Sequence, residues 1–489
     1  KEGKTPEEYV EYWNKRDFED FTALNIKFDF FYKTSSQENK QFVQDVFKKL
    51  EQAGHIYENE IIQLYCNTDK KFLPDRYVIG TCPYCKADDQ YSDLCEKCGR
   101  VPEEIENPHC SICGQPPTKE KTKHYFFKLK NFSNQLSQYL ENNQNLQKDV
   151  KKYVQNWIKE GLTDWDITRD ISWGIPIPVD GEKKKVFYGW FDNHLAYISS
   201  TIKFLNDSGK DGKKFWNDSD IYHFIGKDIV YHHYLFLPAM RLGISEEYKL
   251  PDYIPTRGHL TLQSKKISKS RNWYIGLKDF LGIFPADYLR FYLISINPYS
   301  QDDLNFNWDE FATKINSELI GNLGNLVNRA LGFTLKSFDG VVPDPDEFDN
   351  MDKESEKMIK EFVTELSILM EKNHLDRALK MILQFSAHFN QYFQHKEPWK
   401  NGPGTNSCVF LSVNAVRSLA IAIYPFMPDS SQKIWVQLGL EGSVSAQMFD
   451  QISNITLNQG HKLGSVSPLF EKVEESVIDE QKSKLGDSN

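Results

Sequence analysis

The sequence lacks an apolar run long enough to cross a bilayer, and it has no secretory signal peptide. These two absences argue against a membrane-spanning or secreted protein, so we expect a cytoplasmic chain with no membrane partner. A broadly basic surface is also lacking, because 59 Lys and Arg residues are set against 69 Asp and Glu residues, for a net charge of −10. A local basic face can still bind nucleic acid within that acidic total.

Internal repeats and low-complexity tracts are absent as well. The composition is that of globular domains, with 40% hydrophobic and 26% charged residues. The length of 489 residues predicts about three domains. The sequence begins at Lys1, inside a charged segment and without a methionine, and we therefore expect a fragment of a longer protein.

Cysteine is scarce outside one region, since seven of the eight cysteines lie between positions 66 and 113. Paired Cys-x-x-Cys turns in a long chain without a signal peptide indicate metal binding rather than disulfides. Two such turns supply the four sulfurs of Cys82, Cys85, Cys95 and Cys98. This spacing predicts a closed tetrahedral zinc site, which leaves no position for water and is therefore expected to be structural.

A third turn, Cys110-Ser-Ile-Cys113, has no obvious cysteine pair as its mate. Cys66 and Asp69 have the same spacing, with a carboxylate in one place. A site formed by Cys66, Asp69, Cys110 and Cys113 would be weaker, because oxygen is a harder ligand than sulfur. We therefore expect one zinc ion or two. Cys408 stands alone in an apolar stretch and is predicted to be a buried core thiol.

The segment Lys266-Ile267-Ser268-Lys269-Ser270 places two lysines three residues apart after an apolar run. Two ammonium groups this close repel each other, and nothing in folding requires them. They can instead stabilise the charge that develops on a triphosphate during phosphoryl or adenylyl transfer. Taken alone, the segment is equally compatible with an ordinary solvated loop of Lys and Ser.

Residues 221–225 form an apolar run, followed by Gly226-Lys227-Asp228 and then a predicted helix through His233. Strand, glycine turn and helix form the βα unit of a parallel sheet, in which ligands bind at the carboxyl ends of the strands. Gly226 lets the backbone approach a ligand, and Asp228 is placed to bind ribose hydroxyls. His233 fits either a ligand pocket or a satisfied core position. From about residue 312 the apolar period is helical and predicts a helix bundle.

Several longer motifs accompany these features. They are Phe72-Leu73-Pro74-Asp75-Arg76, Trp165-Asp166-Ile167-Thr168-Arg169-Asp170, His223-Phe224-Ile225-Gly226-Lys227-Asp228-Ile229-Val230, Asn325-Leu326-Val327-Asn328-Arg329 and Pro398-Trp399. Their order resembles a class I aminoacyl-tRNA synthetase, and in detail the methionyl-tRNA synthetase family of archaeal or eukaryotic-like type. The resemblance implies an α/β fold in which a partial Rossmann-like catalytic domain carries a zinc-knuckle insertion. An all-α anticodon-binding helix bundle would follow.

The resemblance also implies roles for particular residues. Catalysis is expected of Lys266, Lys269 and Arg169, and ATP binding of Gly226, Asp228, Lys266, Ser268, Lys269 and Ser270. The methionine pocket is expected to be walled by Trp190, Tyr197, Ile229 and His233, which offer aromatic and aliphatic surface to a thioether. Asn325, Arg329 and Trp399 are expected to read the anticodon, through hydrogen bonds to base edges and a stacking plane. Without the family, Asn325 and Arg329 would be a polar helix pair and Trp399 a core residue.

The sequence departs from the family in three places. The His-x-Gly-His signature is absent, and Gly54-His55-Ile56-Tyr57 only imitates it. We therefore expect the N-terminal half of the nucleotide-binding fold to be missing, or to be supplied by a separate chain. Asn193-His194 occupies positions where the family usually has Ala-Pro, which puts the shape of the amino-acid pocket in question. Asp69 stands where the archaeal type often has cysteine.

The resemblance implies a methionine–tRNA ligase, which joins methionine to ATP and passes it to tRNA(Met). Methionine, ATP with Mg²⁺ and tRNA(Met) are the expected ligands, together with zinc and, in trans, any appended tRNA-binding module. Another class I synthetase, for leucine, valine, isoleucine or cysteine, is one alternative. The paired cysteine turns and the Pro398-Trp399 region argue against it. A non-catalytic tRNA-binding paralogue is the other alternative, and the retained Lys266, Lys269, Asp228 and His233 argue against that.

The expected domain boundaries follow from the same comparison. Residues 1–36 would end the first half of the catalytic domain, and 37–187 would form the insertion. The second half of the catalytic domain would be 188–259, the stem-contact region with the two-lysine loop 260–321 and the anticodon bundle 322–445. Residues 446–489 turn polar and would form a C-terminal tail or a segment packed back on the protein.

Overall fold

The computed structural model describes residues 3–92, 97, 102, 104–182, 185–245, 248–269 and 271–486. These residues form two compact units. The first comprises Lys1–Asn14 and Phe28–Pro255, and the second comprises Lys15–Lys27 and Thr256–Asn489.

The first unit is a mixture of helices and mostly short strands. In chain order, its elements, beginning with a helix that continues into the second unit, are α1 (Pro6–Ala23), α2 (Gln37–Gln52), β1 (Ile56–Cys66), β2 (Lys71–Phe72), β3 (Val78–Thr81), β4 (Gln90–Tyr91), β5 (Glu106–Cys110), β6 (Thr118–Phe127), α3 (Ser133–Asn142), α4 (Lys148–Glu160), β7 (Trp165–Asp166), β8 (Thr168–Arg169), β9 (Val186–Phe187), α5 (Gly189–Asp207), α6 (Gly212–Asp218), β10 (Ile225–Gly226) and α7 (Leu237–Gly243). A π-helical turn, His232–Phe236, precedes α7.

The longest strand pair of this unit joins β1 to β6. The two strands are antiparallel over ten residue pairs, from Ile56 opposite Phe127 to Tyr65 opposite Thr118. Strand β2 extends the sheet on one side and β7 on the other, in the order β2-β1-β6-β7. One buried apolar cluster, which includes Phe47, Phe127 and Phe191, forms the main core of the unit.

The sequence Gly54-His55-Ile56-Tyr57 turns from helix α2 into strand β1. Gly54 has a φ of +75°, in the left-handed region that glycine enters without steric cost. The ring of His55 lies 4.8 Å from that of Phe132, centroid to centroid. The segment is therefore a helix end followed by a packed histidine, which agrees with its being only an imitation of the family signature.

The second unit is dominated by helices. In chain order its elements are β11 (Thr256–Arg257), β12 (Leu260–Leu262), β13 (Lys265–Lys266), α8 (Leu277–Leu281), α9 (Ala286–Ser295), β14 (Leu304–Phe306), α10 (Trp308–Lys314), α11 (Asn325–Ser337), α12 (Asn350–Glu371), α13 (Leu375–Lys396), α14 (Thr405–Ile423), α15 (Pro428–Gln437) and α16 (Glu475–Ser483). A π-helical stretch, Ile315–Gly324, leads into α11. The predicted bundle is therefore present.

Helix α14 is the central helix of that bundle, and Cys408 lies fully buried in it, as predicted. Among the described residues, this helix is the one that is long and apolar enough to cross a membrane. About 94% of its apolar stretch is buried within the protein. That burial explains its apolarity, because a helix that is hydrophobic all round belongs in a core.

The segment from residue 446 onward packs against the core, which agrees with the second of the two forms expected for it, a tail or a packed-back segment. Leu457, Leu469, Val473 and Ile478 are all buried in the core of the second unit. Helix α16 lies within this segment. The polar composition concealed these contacts, since single apolar residues spaced along an irregular chain give no helical or strand period.

We predict that Phe389→Ala destabilises the protein by roughly 3–5 kcal/mol, the usual cost of removing a large buried aromatic side chain. Phe389 has no exposed surface, and its ring lies 4.9 Å from that of Phe385. Leu335→Ala is the control, because 44% of that side chain is already exposed and its loss is expected to change stability by less than about 0.5 kcal/mol. Denaturant unfolding measures both, and equal effects would contradict the assigned core.

Candidate functional site

The β1–β6 ladder determines which cysteines meet. Because Tyr65 pairs with Thr118, Cys66 at the end of β1 comes close to the turn that precedes β6. Cys110 ends strand β5, and Cys113 lies in the turn that follows it. The two halves of the less favoured metal site are therefore joined by strand pairing, although more than forty residues separate them in sequence.

Cys66, Asp69, Cys110 and Cys113 form a cluster whose four candidate ligand atoms all lie within 4.8 Å of one another. The Sγ atoms of Cys66 and Cys113 are 3.4 Å apart, and Asp69 Oδ2 lies 3.2 Å from both Cys66 Sγ and Cys110 Sγ. Hydrogen bonds from the thiols of Cys113, Cys110 and Cys66 lower the pKa of Asp69. Three sulfurs and one carboxylate oxygen in a compact group fit a tetrahedral zinc ion.

The cysteines of the favoured site are only partly described. Cys82 and Cys85 lie on the turn after β3, where Lys86 N donates to Cys82 O at 3.0 Å. Cys95 and Cys98 fall outside the described residues. All four residues of the other candidate site, Cys66, Asp69, Cys110 and Cys113, are described.

Arg169, in strand β8, lines a cleft of about 730 Å³ together with Asp166 and Asp170. Its guanidinium carbon lies 3.9 Å from the ring centroid of Tyr188. Its Nη1 lies 3.3 Å from Asp166 Oδ2 and donates to the carbonyl oxygen of Thr168 at 2.6 Å. The side chain is 26% exposed. Arg169 is thus a cation held by a carboxylate, a carbonyl and an aromatic ring at a cleft that Lys119, Glu104, Asp166 and Asp170 also line.

Tyr197, Ile229 and His233 are connected by hydrogen bonds. His233 Nδ1 lies 3.1 Å from the carbonyl oxygen of Ile229, which can only accept, so this nitrogen carries the proton. Nε2 therefore accepts from the Tyr197 hydroxyl, also at 3.1 Å. Burial lowers the pKa of His233 to about 4, so the ring is neutral at pH 7. This wall offers polarisable, uncharged groups.

Trp190 packs against two further histidines of the same region. Its ring lies 4.4 Å from that of His232 and 5.6 Å from that of His194, and His194 is 4.9 Å from His233. Burial lowers the pKa of His194 and of His223, as does the charge of nearby groups. The structure therefore brings all four expected methionine-pocket residues together with neutral histidines, and the charge of the buried Arg241 acts on the same histidines.

Two histidines of that cluster, His223 and His232, were not predicted as site residues, whereas His194 was expected at a position that lines the amino-acid pocket. His223 approaches Tyr197 to 4.4 Å between ring centroids. His194 has no exposed surface, and neither ring nitrogen has a hydrogen-bond partner among the described residues. The tandem His232-His233 pair was visible in the sequence. Its placement depends on the π-helical turn His232–Phe236, a local geometry often found at functional sites.

The residues predicted to bind the nucleotide lie partly in the first unit and partly in the second. In the first unit, Gly226 ends β10, and a Cβ added there would lie 2.5 Å from Asp228 Oδ1, so the Asp228 carboxylate would have to move. In the second unit, Ser268 and Trp273 exchange backbone hydrogen bonds of 2.9 and 2.8 Å, which close the two-lysine loop into a tight hairpin. Both lysines are exposed on that loop. Ser270 falls outside the described residues.

Asn325 and Arg329 are held by helix α13 rather than by each other. Asn325 Nδ2 donates to Asn390 Oδ1 at 2.8 Å, and Arg329 Nη2 donates to Gln394 Oε1 at 2.8 Å. The Arg329 guanidinium carbon is 5.8 Å from the Trp399 ring centroid. Trp399 lies on the turn Pro398–Lys400 and is 44% exposed, so the core alternative for it is wrong. Asn325 and Arg329 are half-buried, and Arg329 lies beside the exposed Trp399 ring.

Comparisons with known proteins agree with this arrangement. A sequence model of the family described as tRNA synthetases class I (M) matches residues 1–331, and that of the anticodon binding domain of methionyl tRNA ligase matches residues 342–489. A methionine–tRNA ligase of Methanopyrus kandleri is 41% identical over 99% of this chain and 73% of its own length. That of Pyrococcus furiosus is 39% identical over 98% of this chain and 68% of its own length.

The chain belongs to the methionyl-tRNA synthetase family. It is therefore an aminoacyl-tRNA ligase, and the expected family, fold class and ligase activity are confirmed. The fold also resembles that of a Mycobacterium tuberculosis methionyl-tRNA synthetase solved with methionyl-adenylate. That likeness has a TM-score of 0.78 at 23% identity and covers 96% of this chain and 87% of the other.

The methionyl-tRNA synthetase comparisons correct one expectation. The N-terminal half of the catalytic fold was expected to be missing, but the class I family model matches from residue 1 to residue 331. The archaeal methionyl-tRNA synthetases align with 98–99% of this chain and with 68–73% of their own lengths. A separate chain that supplies this half has no support. The expectation had rested on the absent His-x-Gly-His signature and on the start of the sequence at Lys1.

We predict that Cys113→Ser removes about one equivalent of zinc from the intact protein, because three ligands do not complete a structural tetrahedral site. Elemental analysis of the purified protein measures the loss. Cys408→Ser is the matched control, since it also removes one thiol but leaves the cluster intact. Unchanged zinc in Cys113→Ser would show that the cluster does not hold the metal.

Proposed function

We propose that the chain activates methionine with ATP, forming methionyl-adenylate and pyrophosphate, and then transfers methionine to tRNA(Met). The observation that carries the assignment of substrate is the cluster of neutral groups around Tyr197 and His233. A thioether is apolar, soft and uncharged, and it packs favourably against aromatic rings. A neutral His233 and the Tyr197 hydroxyl supply polarisable contacts without the desolvation cost of a buried charge.

In the first step, the methionine carboxylate attacks the α-phosphorus of ATP and pyrophosphate leaves. We assign Gly226 and Asp228 to the adenosine, with Asp228 taking ribose hydroxyls. Arg169 and the loop lysines Lys266 and Lys269 stabilise the charge that develops on the leaving phosphates. ATP enters as its Mg²⁺ complex, and Ser268 and Ser270 of the loop are assigned to the same nucleotide. Catalysis consists of positioning and charge stabilisation.

In the second step, a terminal ribose hydroxyl of the tRNA attacks the activated carbonyl and AMP leaves. We assign Asn325, Arg329 and Trp399 to the anticodon, because the exposed Trp399 ring offers a stacking plane and the Arg329 guanidinium carbon lies 5.8 Å from its centroid. The side chains of Asn390 and Gln394 already orient two of these groups. The second unit then recognises tRNA through this surface.

Zinc is assigned a structural role. Cys66, Asp69, Cys110 and Cys113 would hold one ion at the end of the β1–β6 ladder, and Cys82, Cys85, Cys95 and Cys98 a second. In either place the metal would tie two turns together without binding a reactant. We keep the domain boundaries stated for the sequence as a proposal, with residues 446–489 joined to the bundle. A cytoplasmic location and a tRNA-binding module acting in trans belong to the same proposal.

A class I synthetase for leucine, valine, isoleucine or cysteine is less well supported, because the paired cysteine turns favour the methionine enzyme and residues 342–489 match the anticodon binding domain of methionyl tRNA ligase. A non-catalytic tRNA-binding paralogue would have no use for a cation held at the cleft, as Arg169 is.

We predict that Lys269→Ala slows methionine-dependent pyrophosphate exchange by about 10²–10³-fold while changing methionine affinity little. Loss of one charge donor aimed at a transition state has an effect of that size. Lys278→Ala is the control, because it removes an exposed lysine from the neighbouring helix α8. An unchanged exchange rate in Lys269→Ala would rule out the loop assignment.

We predict that Trp399→Ala weakens tRNA binding by about one to two decades, since stacking of one base is worth roughly 1–3 kcal/mol. Pyrophosphate exchange should stay near normal, and so should the melting temperature, because 44% of the side chain is exposed. Leu335→Ala, an equally exposed apolar residue on α11, is the matched control. Normal tRNA charging by Trp399→Ala, or its unfolding, would defeat the assignment.

A further inference from the structure

His124 is a histidine of strand β6 whose side chain has no exposed surface. Its Nδ1 lies 2.7 Å from Asp166 Oδ2, and its Nε2 lies 3.0 Å from Asp170 Oδ2. A carboxylate can only accept, and a neutral imidazole has one N–H group, so both contacts are hydrogen bonds only when the ring is an imidazolium. The placement therefore selects the charged form of His124.

Strand pairing creates this placement. Phe126 of β6 pairs with Asp166 of β7, and alternate residues of a strand lie on one face, so Thr122, His124 and Phe126 share a face. Asp166 and Asp170 approach His124 from β7 and from the segment after β8. Burial alone would lower the pKa of His124, but hydrogen bonds to Asp166 and Asp170 outweigh burial and raise it.

Asp170 also accepts hydrogen bonds from two residues other than His124. Lys185 Nζ lies 2.5 Å from Asp170 Oδ1, and the Thr122 hydroxyl donates to Asp170 Oδ2 at 2.7 Å. Burial would raise the pKa of Asp170, yet the hydrogen bonds from His124, Lys185 and Thr122 hold it at about 2. Asp170 is thus a fixed anion that anchors one end of the imidazolium.

Asp166 connects the other end of the imidazolium to Arg169. The same Oδ2 that accepts from His124 lies 3.3 Å from Arg169 Nη1, while Oδ1 accepts from Thr168 N at 3.1 Å. The charged groups that face His124 are therefore Asp166, Asp170 and, beyond them, Arg169 and Lys185. Each carboxylate is shared between His124 and one further cation.

We propose that His124 is a positioning residue for the adenylation step, and that it acts through Asp166 to fix the Arg169 guanidinium at the cleft. The inference rests on the catalytic role proposed for Arg169. His124 touches no reactant. It bridges two carboxylates as an imidazolium, and Asp166 then orients Arg169 toward the developing pyrophosphate. Displacement of a charge donor by about 1 Å is enough to lower a rate by up to roughly 10²-fold.

The expected pH dependence follows from the sign of the shift. Because the pKa of His124 is raised in the folded protein, the imidazolium bridge is complete at pH values below that pKa. The bridge is lost as the pH rises through it. Pyrophosphate exchange by the wild-type protein should therefore fall on its alkaline side. His124→Gln cannot lose a proton, so its profile should lack that alkaline fall, while its kcat at neutral pH is roughly 10–100-fold lower and its KM for ATP changes less.

The experiment compares wild type, His124→Gln, Arg169→Gln and the double variant of the intact protein by methionine-dependent pyrophosphate exchange across pH. If His124 acts through Arg169, His124→Gln adds no further loss to Arg169→Gln. Lys123→Gln is the control, because Lys123 is exposed on the opposite face of the same strand, where it pairs with Glu58. A second readout, ¹⁵N chemical shifts of the His124 ring at pH 7, reports protonation without activity and does not require the variant to fold.

Each outcome decides the inference. A slow His124→Gln with no alkaline fall, non-additive with Arg169→Gln, supports it. A normal rate in His124→Gln alongside a slow Arg169→Gln overturns it and leaves the proposed function intact. A normal rate in Arg169→Gln removes the proposed catalytic role instead. Additive losses, or a neutral His124 ring at pH 7, also overturn the inference.

Discussion

The antiparallel pairing of β1 with β6 is the interaction on which the candidate sites of the first unit depend. Its register places Cys66 and Asp69 beside the Cys110–Cys113 turn at one end. At the other end, β6 pairs with β7 and so sets Asp166 and Arg169 against His124. A slip of one residue would turn every side chain of β6 to the opposite face and separate both groups.

The first unit surrounds its buried histidines with two different electrostatic environments. They differ in whether carboxylates offset the cost of burying a charged ring. Around His233, buried histidines have few carboxylate partners and are neutral, which gives an apolar and polarisable wall. Around His124, two carboxylates outweigh burial and favour the cation. The same residue type therefore serves substrate contact in one place and positioning of charge in the other, because the neighbours decide which form is stable.

Local motifs allowed much of this to be predicted. The two-lysine loop, the Cys-x-x-Cys turns, the bundle and the family all rest on contiguous residues or on a helical period. The His124 bridge and the place of His223 and His232 in the aromatic cluster were not predictable. They depend on strand register and on a π-helical turn, which join residues about forty positions apart and leave no periodic pattern. For the segment after residue 446 the sequence could not decide between a tail and a packed-back segment, since its buried apolar residues follow no regular spacing.

The central proposal is that the aromatic cluster around His233 selects methionine, in the unit in which Arg169 is held at a cleft. ATP–pyrophosphate exchange with a panel of amino acids tests this most directly. The account predicts exchange that depends on methionine and is far weaker with leucine, isoleucine, valine and cysteine. Exchange driven by one of those amino acids instead of methionine, or binding of tRNA(Met) without exchange for any amino acid, would contradict it.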